Sequence, residues 1–320
     1  MQAITAILLG LRLSRSRRAV RPALLVAALV IFAAHAGIAH ATVYFQDNFN
    51  DGDLSNYGAI GNSADPCYTA GQYFADPADV AEGAYSLRFD MDNFPVNQDL
   101  CSYVYADLLP SPVPEGTTLY IAFWTKFSAN HYWDDGEFNK HLEVRGSMTD
   151  AWLLFSIGRG GESDQLSGLG LLPADLHTAV PHLFVVANAV SSFRPYNSAD
   201  GGYFVQNLST ANPVFMENGR WHSVVIRADI TSASNGTIEM WINGTKVIEF
   251  HNIRTQRNGV QFTTTIIGGT HNQPSYAADV DSSKYYDNYL VTDNWQDVID
   301  GGYLTVDTLA PAAPTNLTVQ

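Results

Sequence analysis

From Val43 to about Asp300 the chain runs in short apolar stretches rich in Tyr, Phe, Trp, Val, Ile and Thr, broken by Gly, Asn, Asp, Ser and Pro. That is the composition of strands and turns. Period-two alternation is visible in Tyr120-Ile121-Ala122-Phe123-Trp124-Thr125-Lys126-Phe127 and in His222-Ser223-Val224-Val225-Ile226-Arg227-Ala228-Asp229. Beyond the first forty or so residues no stretch repeats apolar residues at helical spacing over ten positions. Thr237 to Ile242 and Lys246 to Phe250 are strand-like and flank Asn243-Gly244, a pair that favours a tight hairpin turn. Gly158 to Gly170 and Asn197 to Gly202 read as loops. Roughly 258 residues of strand and turn without an internal repeat predict one large all-β domain, a two-sheet antiparallel β-sandwich.

The two ends differ from this body. Residues 1–41 place Arg12, Arg15, Arg17, Arg18 and Arg21, with no acid, ahead of an Ala-rich apolar run, and Ala39-His40-Ala41 supplies small residues at alternate positions. This is the layout of a secretory signal peptide, with the mature chain starting at Thr42 and the protein secreted, at the cell surface or in a periplasm. At the other end, residues 301–320 turn rich in Pro, Ala and Thr. They read as a linker.

Charge narrows the choice of partner. The full chain carries a net −15, and loss of the leader leaves twelve basic against 32 acidic residues, a net −20. Nucleic acid and anionic membrane both require a cationic surface, so neither is an expected partner after cleavage, and a neutral or metal-bridged glycan is. Such an acidic surface also serves simply to keep an exported protein soluble. Cys67 and Cys101 are the only cysteines. In an oxidising compartment they are expected to pair, closing a loop worth about 3–4 kcal/mol in the chain-entropy picture.

Three pieces carry a resemblance. Phe45-Gln46-Asp47-Asn48-Phe49, the run from Gly219-Arg220-Trp221-His222 through Asn243-Gly244, and Tyr285-Tyr286-Asp287-Asn288-Tyr289-Leu290-Val291 are similar to the first strand, a central hairpin and the last strand of concanavalin A-like jelly rolls. That superfamily includes laminin G-like modules, lectins, glycoside hydrolases and polysaccharide lyases. Phe123 to Phe127 and Asn139 to Arg145 resemble the corresponding stretch of glucuronan-lyase-like polysaccharide lyases. The tail from Asp307 to Val319 resembles the opening of a fibronectin type III module. The implied architecture is a signal peptide over 1–41, a jelly roll over 42–300, and a linker with a truncated module over 301–320. Neither the acid motif of laminarinase-type hydrolases nor the signature strands of alginate lyases are present. A monomeric polysaccharide lyase that cleaves uronate-containing glycan by β-elimination is expected, with a non-catalytic glycan-binding or adhesion module as the alternative.

Candidate residues follow from both sources. The resemblance implies a structural Ca2+ between first and last strands, with Asp47 and Asp287 as the matching acids. Asp134, Asp135 and Glu137 are close in sequence but sit in a turn-like stretch, where solvated acids are expected. Alternation along Lys140 to Arg145 would send Leu142 and Val144 into the core and His141, Glu143 and Arg145 to the opposite face. There Arg145 would grip a substrate carboxylate and His141 would act as base, with Glu143 orienting one of them. Lys140, Lys126, His182 or Tyr196 are candidates for the proton donor. Trp133, between Tyr132 and Asp134, is the tryptophan expected to be exposed for sugar stacking.

Overall fold

The computed structural model describes residues 41–55, 57–59, 73–91, 100–108, 112–133, 138–147, 150–158, 173, 175–186, 201–208, 213–257, 259–272 and 282–304. They form two antiparallel eight-stranded sheets and one short helix. Sheet A runs β14 (Thr245–Ile253), β13 (Gly236–Ile242), β12 (His222–Asp229), β6 (Thr118–Phe127) and β16 (Ser283–Thr292). Beside β16 lie β4 (Ser86–Asp90), then β3 (Tyr73–Asp76), while β1 (Val43–Asp47) pairs with its other half. Sheet B runs β10 (Gly201–Phe204), β9 (Thr178–Val186), β8 (Ala151–Gly158), β7 (Phe138–Ser147), β15 (Thr264–Asn272), β5 (Leu100–Asp107) and β2 (Gly58–Ala59). A short β11 (Met216–Glu217) pairs with β9. The helix α1 spans Trp295–Asp300 and is capped by the Asn294 side chain, which accepts from the Gln296 amide.

The pattern read from the sequence maps onto these strands. The two alternating runs are β6 and β12, paired in register from Thr118↔Asp229 to Thr125↔His222. Phe123 and Val224 enter the space between the sheets, where they meet Phe155, Leu142 and Phe204 in one apolar cluster. Each such side chain contributes about 1.5–3 kcal/mol by leaving water. Asn243 and Gly244 turn the β13–β14 hairpin with φ of 50° and 75°, the left-handed pair a primed turn demands. First and last strands return to each other in β1–β16, Asp47 opposite Tyr289. The fold is the expected concanavalin A-like jelly roll.

The outward sides of the two sheets differ. On sheet A, α1 and the residues after it pack Trp295, Val298, Tyr303 and Leu304 over Tyr120, Ala122, Val225, Trp241 and Leu290. Packing on this sheet runs to Leu304, because these apolar groups need the sheet for cover. On sheet B the outward side carries mostly polar and aromatic groups, described below. The leader, the tail beyond Leu304, Cys67, Tyr196, Asp134, Asp135, Glu137, and most of the two expected loops lie outside the described residues. Of the second loop, Gly201 and Gly202 belong to β10.

Candidate active site

Strand register builds the outward face of sheet B in rows. Lys140, Ser156 and His182 stand opposite one another on β7, β8 and β9. The next row is Glu143, Leu154, Phe184 and Tyr203, reaching β10. A third begins with Arg145 opposite Trp152. Trp152, Leu154, Phe184 and Tyr203 pack as an apolar patch of their own, separate from the core between the sheets. Lys140 extends its ammonium over the Trp152 ring, 5.4 Å from the centroid. Arg145 Nη1 donates to Glu143 Oε2 at 3.3 Å.

Charge and solvation are unusual here. Glu143 is buried, and desolvation pushes its carboxyl upward against the pull of Arg145 and then Lys140. The Trp152 indole N–H also faces this carboxylate, outside the geometry of a full hydrogen bond. Burial holds the His182 imidazole down to about 4, so it is neutral at neutral pH. Its Nδ1 and the Oγ of the facing Ser156 are both buried with no hydrogen-bond partner among the described residues. Two orphaned polar atoms on adjacent strands carry a desolvation cost of about 1–3 kcal/mol each unless something polar meets them.

Several expected site residues sit elsewhere. His141 is fully buried and points between the sheets, because it is the extra residue of a bulge: Lys140 pairs with Ser156, but Leu142 pairs with Phe155. One inserted residue turns both His141 and Leu142 inward while Lys140 stays outside. The Thr125 hydroxyl gives its single proton to the Tyr285 carbonyl at 3.0 Å, so the His141 Nε2–H must donate to Thr125. The Tyr286 hydroxyl gives its single proton to the His141 backbone oxygen at 2.8 Å, and its oxygen lies 2.9 Å from Nδ1. Burial first and Lys284 second keep this ring well below its ordinary pKa. His141 is a core residue and not the base. Glu143 and Arg145 do share the outward face as expected.

Trp133 is likewise no sugar platform. Its side chain is buried against Phe127 and His131, and its indole N–H donates to Asn218 at 2.8 Å. A tryptophan with its one polar atom satisfied inside has no reason to face water. Lys126 belongs to the outward side of sheet A, across the sandwich from Lys140. It pairs with Asp79 and lies over the rings of Tyr285 and Trp221. Only His182 of the expected glycan-contacting residues joins the face of sheet B. Ser156, Trp152 and Tyr203 were not foreseen, because Trp152-Leu153-Leu154-Phe155 is a continuous apolar run whose two faces alternation does not separate.

The acids implied for calcium are placed as follows. Asp287 is buried and its carboxylate accepts the amides of Ala81, Glu82 and Asn288 at 2.9, 3.0 and 2.8 Å. Burial still lifts its pKa to about 6. Asp47 accepts the Phe49 amide at 2.6 Å. Among the described residues no group of three His, Cys, Asp or Glu stands close enough to hold a metal. Calcium asks for six to eight oxygens, so these two carboxylates would need backbone carbonyls and water beside them. For the cysteines, Cys101 is the second residue of β5, opposite Thr270, and its expected partner is outside the described residues.

No curated protein sequence matches the chain. Among solved structures, an endo-β-1,4-glucuronan lyase from the fungus Trichoderma reesei superposes with a TM-score of 0.52 at 15% identity, covering 80% of this chain and 98% of that one. A marine PL-14 alginate lyase from Aplysia kurodai gives 0.44 at 11%, covering 69% and 86%. The T. cruzi calreticulin globular domain gives 0.47 at 15%, covering 82% and 94%. At such identities the first likeness speaks for the fold alone. The family model described as "Polysaccharide lyase" matches residues 49–289, most of the jelly roll and all of the face just described, so the chain belongs to the polysaccharide lyase family.

Proposed function

We propose that the protein cleaves uronate-containing polysaccharide by β-elimination on the outward face of sheet B. The row Lys140, Ser156, His182, with two orphaned polar atoms in it and Arg145 beside it, is the observation that carries this reading. Lys140 and His182 flank Ser156 on successive strands, which puts their Cα atoms about 10 Å apart, room for one sugar ring between the side chains. Arg145 supplies a planar fork for the uronate carboxylate. Its neutralisation acidifies the C5 proton. In the Nε2–H tautomer, His182 offers the Nδ1 lone pair to that proton, and a bound carboxylate raises the basicity that burial has lowered. The C5–H bond breaks, its electrons form the C4–C5 double bond, and the C4–O bond breaks with them. Lys140 protonates the departing oxygen. Glu143 holds Arg145 in place.

The acidic surface opposes a polyanion only at range. Screening over about 8 Å at physiological salt confines that repulsion, and Lys140 and Arg145 reverse it locally. The Arg-rich then Ala-rich leader supports action outside the cytoplasm. Purified protein is to be mixed with a panel of polyuronates and neutral glycans, following the ultraviolet absorbance of unsaturated uronate. Product from a polyuronate, and a loss of about 10²–10⁴ in kcat for His182→Ala with the β-sheet circular dichroism of the wild type retained, are expected. Binding without product from any uronate would replace the lyase reading with the glycan-binding one.

A further inference from the structure

We infer that Tyr286 and Lys284, from inside the sandwich, are positioning residues that fix where Lys140 stands on the opposite side of sheet B. The inference rests on the reading of that face as a polyuronate site. A bulge leaves its extra residue out of the ladder, so the backbone there is free to relax. Here it is pinned from the facing sheet. Tyr286 and Lys284 are two residues apart on β16 and both point inward. The Tyr286 hydroxyl meets His141 twice, at Nδ1 (2.9 Å) and at the backbone oxygen (2.8 Å), while Thr125 on β6 holds Nε2. Lys284 Nζ donates to the Gly269 carbonyl at 3.2 Å on β15.

Gly269 is where the second strand closes on Lys140. Its pairing with β7 slips between Ile267 and His271, opposite the bulge. A Cβ at Gly269 would fall 2.3 Å from the Lys140 backbone oxygen, so no other residue allows this approach. One strand, β16, thus grips both neighbours of the Lys140 backbone: β7 through His141 and β15 through Gly269. Lys140 is the one residue of Lys140-His141-Leu142 that faces out, toward Trp152. Its position is set by contacts that no substrate touches.

Tyr286→Phe keeps the ring and removes the hydroxyl. On a polyuronate it should lower kcat by about tenfold or more, since small misplacements of a reacting group cost up to ~100-fold, with KM within about twofold of wild type. In a Lys140→Ala background the same substitution should lower kcat no further. Independently of turnover, the Lys140 Cε protons should show an upfield ring-current shift from Trp152 in the wild type, lost in Tyr286→Phe. Thr125→Val repeats the test should Tyr286→Phe fail to fold. Retained kcat together with an unchanged Lys140 shift overturns the inference, as does an equal loss of kcat with and without Lys140. A wild type that makes no unsaturated product removes the lyase reading, while the ring-current shift still decides whether the pin holds Lys140.

Discussion

Lys284 should make the stability of this protein rise as the medium turns alkaline. It is fully buried over the Phe89 ring, with the Gly269 carbonyl as its acceptor and His141 and Tyr286 as the titratable neighbours inside. Desolvation lowers its pKa to about 7, whereas an unfolded lysine titrates near 10.4. Between these values the unfolded chain binds a proton that the folded chain does not. Stability from this group is therefore complete above about pH 10.4 and is lost as pH falls through 7. The slope is about 1.4 kcal/mol per pH unit, so between pH 7 and 9.5 the change is ~3 kcal/mol. That is a sizeable part of the 5–15 kcal/mol typical of a folded domain. Urea unfolding of wild type and Lys284→Met at several pH values isolates the effect, because titration of all other groups cancels in the difference. The methionine variant should match or exceed the wild type at pH 7 and lose ground steadily toward pH 9.5. A difference that stays within about 0.5 kcal/mol across this range would refute the buried, neutral lysine.

Arg145→Lys keeps the charge and loses the planar fork, so KM for the polyuronate should rise about tenfold, the scale of one lost charge-assisted hydrogen bond, measurable by initial rates. Asp287→Ala strands three backbone amides and should cost at least about 2 kcal/mol in urea unfolding. Because those amides already occupy its carboxylate, melting should be the same with chelator and with millimolar calcium; a clear rise with calcium would restore the metal site. Thiol labelling of the unfolded, unreduced protein should find no free cysteine if Cys67 and Cys101 pair, and reduction should then lower stability by about 3 kcal/mol.

Much of the sandwich was legible because alternation and turn chemistry are local. Alternation alone placed β6 and β12, Asn243-Gly244 placed the hairpin, and Leu142, Val144, Glu143 and Arg145 all fell on the sides their spacing required. His141 did not, and the reason is one inserted residue. A bulge reverses the parity of everything on one side of it, and nothing in Lys140-His141-Leu142 announces it. The hint lay 128 residues away in Gly268-Gly269, since paired glycines within a strand mark a close backbone approach. Trp133 was misplaced for a related reason: polar neighbours in sequence say little when the partner that buries a side chain, Asn218, comes from a distant turn. Lys126 required knowing that β6 and β7, adjacent in the chain, belong to different sheets.

The cover that α1 and Leu304 lay over sheet A makes the sandwich one-sided for any attachment. Leu304 lies on the back of that sheet, away from the row containing Lys140 and His182. A tether attached at Leu304 would start from that far side and leave the proposed glycan face of sheet B clear of the attachment.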